Sequence, residues 1–185
     1  HMAFKGTSAI GTSDWTKEKE ALDKMEQAHA CYLQEKWKGE QADRDRMQAC
    51  WDDFKRWEAE AQKYVVTDEF GQIVGRNGGR GLNAFTTADS TEYFFGLPSN
   101  RAELWFYLES ARFRDPVLRE FYKERDVVLE EYRLRVENNP IGRMFNRFVG
   151  VAFLAHPYGR PVIGFPSDLE NIDIRRALQF YQAYY

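Results

Sequence analysis

Cysteine and histidine are scarce in this sequence. Two cysteines, Cys31 and Cys50, cannot build a zinc-finger framework. Three histidines, His1, His29 and His156, stand singly, so a metal site drawn from this chain needs carboxylates as well. No apolar run reaches the roughly 18 residues that a membrane-crossing helix requires, which predicts no membrane span. No dense block of lysine and arginine occurs and the formal net charge is -3, which argues against nucleic acid as a partner. What the chain does have is apolar and aromatic content: 43% hydrophobic and 16% aromatic over 185 residues. That suffices for a packed core in a single domain and argues against disorder.

Residues 14–67 differ in texture from the rest. They contain no proline, and Gly39 is their only glycine. Apolar residues recur at helical spacing, Trp15, Leu22, Met25 and Tyr32 in one arm and Met47, Trp51 and Phe54 in the other. Cys50, Trp57, Ala61 and Tyr64 widen the second stripe. Charges fill the remaining faces, and the pattern predicts two amphipathic helices, antiparallel, turning near Gly39. Such a hairpin either protects and decorates a domain or docks a partner.

After Asn77-Gly78-Gly79, a turn signal, two short β-prone runs follow, Leu82–Thr87 and Thr91–Leu97. Ala88-Asp89-Ser90 separates them, which predicts an antiparallel hairpin. Pro98-Ser99-Asn100 offers cap chemistry for a helix over residues 103–113. Asp115-Pro116 predicts the start of a long helix over residues 117–137, ended by Asn138-Asn139-Pro140. A further helix is expected over residues 142–155, a Pro/Gly-rich loop over 156–166, and a last helix over 173–184. Strands followed by several helices make an α+β fold, an antiparallel sheet packed with helices.

On the long helix, Glu124 and Glu131 stand seven residues apart, within about 20° of each other around the axis. They flank an apolar stripe of Phe121, Val128, Leu129, Tyr132 and Val136. A half-buried carboxylate pair suits metal ligation or proton transfer, although glutamate is also common at the margins of amphipathic helices.

Five stretches, HMAFKGT, GLNAFTTADSTEYFF, FYKERDVVLEEYRLRVENNPIGR, HPYGRPVIG and the terminal FYQAYY, resemble the pitrilysin/insulinase family of zinc peptidases. They stand in the family's order and cover most of the chain outside residues 14–67. The family signature is H-x-x-E-H on a helix, with a distant glutamate as third zinc ligand. The resemblance places His1 at the second histidine, Glu131 at the third ligand and Glu124 at a supporting acidic position. The other ligand and the general base would precede His1, unless His1-Met2 is a remnant of cloning. His1 and Glu131 are 130 positions apart, against roughly 75 expected from the resemblance. The 54 residues from 14 to 67 account for the excess, so they read as an inserted hairpin in a partial peptidase domain spanning 1–185.

The resemblance implies a zinc-dependent endopeptidase that hydrolyses peptides or unfolded segments by metal-activated water, with Zn2+ as cofactor. It implies that the strand at Asn83 and Ala84 pairs with the substrate backbone, as edge strands do. Asn83 has a second reading, a side chain capping its own backbone. The family also contains non-catalytic structural or substrate-binding subunits, the alternative function. Further carboxy-terminal peptidase-like domains or a partner subunit are expected, and this chain alone is expected to be inactive. His156 reads as structural. Cys31 and Cys50 fall at similar heights in an antiparallel hairpin, which leaves two readings: a disulfide in an oxidising periplasmic or secreted setting, or two small buried hydrophobes.

Overall fold

The computed structural model describes residues 2–185. His1 lies outside the described residues. The expected helical hairpin forms as α1 (Trp15–Lys36) and α2 (Arg44–Gln62). Asp14 and Asp43 cap the two helices, their carboxylates accepting from Lys17 N at 3.2 Å and Arg46 N at 3.0 Å. Gly39 turns between them with φ +59°. Glu35, 1% exposed, closes the turn by accepting from Lys38 Nζ at 2.8 Å and Asp43 N at 3.3 Å. Cys31 and Cys50 meet in a disulfide between the arms, with Cα atoms 5.8 Å apart.

A short helix, α3 (Glu69–Arg76), follows, where the sequence reading expected no element. Phe70, Ile73 and Val74 give it a helical stripe, but it spans only eight residues and Gly71 and Gly75 interrupt it. Strands β1 (Arg80–Thr86) and β2 (Thr91–Gly96) then form the expected antiparallel hairpin. Asn83 faces Phe94 across the ladder and Ala84 faces Tyr93, with a bulge between Arg80 and Asn83. The sheet has two strands among the described residues, so the far edge of β1 is unpaired there.

Helix α4 (Ala102–Arg114) lies close to its expected bounds. The long helix does not. Residues 115–120 stay irregular, and α5 covers Phe121–Tyr132, extended by a wider π turn over Arg133–Glu137. Two long-range demands hold the 115–120 segment off the helix. Val117 N donates to Gly6 O at 3.2 Å, and Arg119 turns inward, 1% exposed. Helix α6 (Pro140–Ala152) starts on Asn139, whose side chain accepts from Ile141 N and Gly142 N, with Pro140 at its first position. A helix α7 (Pro166–Asn171) begins at the last residue of the expected loop and fills the stretch before the expected last helix, and α8 (Ile174–Tyr184) closes the chain, capped by Asp173.

Two apolar clusters result. Ile10, Phe70, Val74 and Leu108 pack α3 and α4 beneath the sheet, joined by Phe4, Leu82 and Phe95. Met25, Phe54, Phe121 and Tyr122 pack the helical hairpin against α5, joined by Ile172 and Ile174. The hairpin is therefore part of a core.

Arg119 connects the clusters. Its Nε donates to Glu18 Oε1 of α1 at 2.6 Å. Nη1 donates to Lys5 O at 3.1 Å and Ile10 O at 2.9 Å, and Nη2 donates to Thr7 O. The loop of residues 5–11 wraps this guanidinium, and Gly6 allows it: φ is +105° and a Cβ there would stand 2.0 Å from Ile10 O. Removing one partner of a buried ion pair strands the other, at about 3–5 kcal/mol. Arg119→Met is expected to lower the unfolding free energy by about that amount, read from urea unfolding against the parent chain.

Candidate functional site

A cavity of 450 Å³ opens between the loop after residue 4, the segment 65–68, strand β1 and the start of α5. Lys5, Asn83, Glu120 and Glu124 line it. The fold thus gathers two of the predicted site residues, Asn83 and Glu124, from positions 41 apart in the chain.

Lys5 organises the acidic side of this cavity. Its Nζ meets Glu120 Oε2 and Glu124 Oε1, each at 2.8 Å. Partial burial alone would lower the lysine pKa. The hydrogen bonds and charges of Glu120 and Glu124 outweigh it and hold the ammonium above its ordinary value. Burial would likewise raise the Glu120 carboxyl, but Lys5 and Lys123 bring it below the usual range. Both partners are therefore charged at neutral pH. Glu120 takes a left-handed conformation, φ 55°, at the entry to α5, which turns its carboxylate back toward Lys5. Neither Lys5 nor Glu120 was singled out from the sequence. They lie 115 positions apart, and no local pattern marks the pair.

The remaining predicted residues are placed as follows. Ala84 follows Asn83 on β1, and its N–H is taken by Asn83 Oδ1 at 2.8 Å, the local capping contact. Glu131 sits two turns beyond Glu124 on α5, half-exposed, with Arg135 Nη2 at 2.8 Å. His1 lies outside the described residues. Among the described residues no group of three or more His, Cys, Asp or Glu is gathered closely enough to hold a metal ion. The described residues by themselves thus do not fit a zinc site. His156 Nδ1 accepts from Tyr158 N at 3.3 Å, and Tyr158 in turn donates to Asp89 at 2.7 Å, which ties this loop to the strand turn.

A polar network pins the hairpin to α5. The Tyr122 hydroxyl donates to Glu26 Oε1 and stands 3.0 Å from His29 Nδ1. The His29 ring packs against Tyr122 and Phe54 at centroid distances of 4.4 and 5.3 Å. Burial pushes the His29 pKa down to about 4, with Arg125 adding in the same direction. Burial raises that of Glu26.

No protein-family model matches the chain. It is 36% identical over 125 residues to zinc protease PqqE of Helicobacter pylori, a match that covers 66% of this chain and 28% of that protein. It is 35% identical over 102 residues to an uncharacterized zinc protease of Mycobacterium leprae, covering 52% of this chain and 22% of that protein. The crystal structure of a protease from Helicobacter pylori superimposes with a TM-score of 0.59 at 36% identity, over 63% of this chain and 29% of that one. The chain thus spans less than a third of the length of each relative. These similarities support a likeness to zinc peptidases and the α+β fold.

His29 makes stability depend on pH. Its folded pKa lies below the unfolded value of 6.5, so the unfolded chain binds more protons between the two. Stability is fully present above 6.5 and is lost as the pH falls toward 4. Glu26, raised on folding, opposes this at the acid end, and it remains in a His29→Phe chain. The difference between parent and His29→Phe in urea midpoint, measured from pH 7 to pH 4, is expected to shrink as the pH falls. A constant difference would contradict a neutral, buried imidazole.

Proposed function

Taking the chain as a piece of a pitrilysin/insulinase-like zinc peptidase, we propose that the whole protein is a zinc-dependent endopeptidase. It would hydrolyse peptides or unfolded segments by metal-activated water. The observation that carries this reading is the shared cavity: Asn83, on a strand whose far edge is unpaired among the described residues, and Glu124 line one space. An extended peptide added to that edge makes main-chain hydrogen bonds with little demand on its sequence. Asn83 and Ala84 are the assigned substrate-contacting positions, and binding there exchanges the local Asn83–Ala84 contact for one with substrate.

Zn2+ is the cofactor of this reading. His1 and Glu131 are the ligands assigned within the chain, with the remaining histidine and the general base supplied from beyond it. When bound, the metal supplies an activated water and a polarised carbonyl. Glu124, held by Lys5, stands beside the site and acts as a supporting catalytic group. Peptides are the substrates, and residues 14–67 are read as an inserted hairpin beside the entrance.

Further peptidase-like domains, or a partner subunit, complete the assembly. The support is twofold: the match covers less than a third of each relative, and α6 exposes one apolar face. Ile141, Met144, Phe145, Phe148 and Val151 recur along it, each more than 60% exposed. The Cys31–Cys50 disulfide favours an oxidising location, periplasmic or secreted. No described helix is long and apolar enough to cross a membrane.

Two outcomes test the reading. In the full-length protein, Glu131→Gln is expected to cost more peptidase activity than Glu124→Gln. The latter should fall within the roughly 10–100-fold typical of supporting residues around a metal. Equal losses would refute the assignment of roles. The 185-residue chain alone is expected to hold zinc weakly and to cleave no peptide, since it carries an incomplete ligand set. Tight, stoichiometric zinc by elemental analysis would count against it.

A further inference from the structure

Helix α6 sits the opposite way round from an ordinary amphipathic helix, which turns its apolar stripe to the core. Here two glycines face the rest of the chain. A Cβ on Gly142 would stand 2.0 Å from Arg135 O, and one on Gly150 would stand 3.8 Å from Gly159 O. The large side chains Ile141, Met144, Phe145, Phe148 and Val151 lie on the other side, each more than 60% exposed. At 100° per residue these five span about 120° around the helix, centred about 160° from the two glycines. An exposed apolar face of this kind marks an interaction surface.

The charges beside this face have one sign. Arg147 stands about 40° beyond the border at Val151, and Arg143 about 40° further round. Residues 138–167 contain no aspartate or glutamate. Arg133 and Arg135, just before α6, are paired with Glu130 and Glu131, whereas Arg143 and Arg147 make no ion pair among the described residues. The cover that fits is therefore apolar at its centre and carries carboxylates along the arginine flank. A second copy that packs α6 on α6 brings apolar surface but no carboxylate, because the same acid-free stretch meets itself. An anionic membrane brings charge, but the two arginines of α6 are fewer than the roughly 4–8 basic residues of a lipid-binding cluster.

We propose that, in the full-length protein, polypeptide outside residues 1–185 covers this face, through an apolar surface with carboxylates opposite Arg143 and Arg147. The matches cover 28% and 22% of the two relatives, so most of a protein of that kind is available to supply the cover. The inference rests on the part of the proposed function that extends the protein beyond these residues. It does not depend on peptide hydrolysis.

Met144 is a built-in reporter, because hydrogen peroxide converts an accessible methionine to its sulfoxide. Its oxidation rate is read by peptide mass spectrometry in the 185-residue chain and in the full-length protein, with buried Met25 as the control for an intact fold. Met144 is expected to react at least tenfold more slowly in the full-length protein, at a rate independent of protein concentration. The exposed double variant Arg143→Glu/Arg147→Glu is expected to lose at least threefold of that protection, and Arg143→Lys/Arg147→Lys to keep it. Equal rates in the two proteins overturn the proposal. So does protection of the 185-residue chain that grows with its concentration, which means a second copy, or protection that needs vesicles of phosphatidylglycerol and phosphatidylcholine, which means a membrane. Protection untouched by the charge reversal overturns the carboxylate flank. Hydrolysis of an unfolded protein by the full-length protein is scored separately. A shielded Met144 without hydrolysis keeps the docking face and sinks the peptidase reading, whereas hydrolysis with Met144 freely oxidised does the reverse.

Discussion

The buried Arg119 guanidinium is the constraint on which the rest of the arrangement depends. It satisfies three carbonyls of the loop 5–11 and one carboxylate of α1 at once. By doing so it sets where Lys5 stands, and Lys5 in turn fixes Glu120 and Glu124. It also costs the preceding segment its helix, because a residue reaching inward to four partners cannot lie on a regular turn that starts at Asp115-Pro116. A guanidinium suits this role better than an ammonium would, since its planar fork offers several donors in fixed directions.

The parts of the fold governed by local patterns were legible. The stripe of Trp15, Leu22, Met25 and Met47, Trp51, Phe54 marked the helical hairpin, and the β-prone runs on either side of Ala88-Asp89-Ser90 marked the strands. The caps Asp14, Asn139 and Asp173 sit where short polar side chains precede apolar runs. The misses share a cause. Helices α3 and α7 are short and broken by glycine or fall in proline-rich sequence, so propensity spoke against them while packing decided for them. The late start of α5 follows from Gly6 and Arg119, a contact that no window of sequence contains.

The site was legible in the same divided way. Glu124 drew notice through its spacing from Glu131 and Asn83 through the resemblance, and the fold brings both to one cavity. Lys5 and Glu120 carry the electrostatics there, yet a lysine after a phenylalanine and a glutamate before one look ordinary in a list of residues. Glu131 stays tied to Arg135 on the helix surface, an arrangement its seven-residue spacing from Glu124 does not reveal.

The hairpin has a consequence for how the chain assembles. Its two arms touch across short sequence separations, and the Cys31–Cys50 bridge spans only 19 residues. Contacts of that kind form quickly, because little loop entropy is spent in closing them. Glu18 and Arg119 are 101 residues apart, and the loop 5–11 must close around the same guanidinium from still farther away. The order of events then runs from the periphery inward: a preformed helical pair waits for α5, and the guanidinium locks last. The slow step of folding would thus be the one that creates the cavity, so a nascent chain would acquire its acidic pocket only after the hairpin is in place.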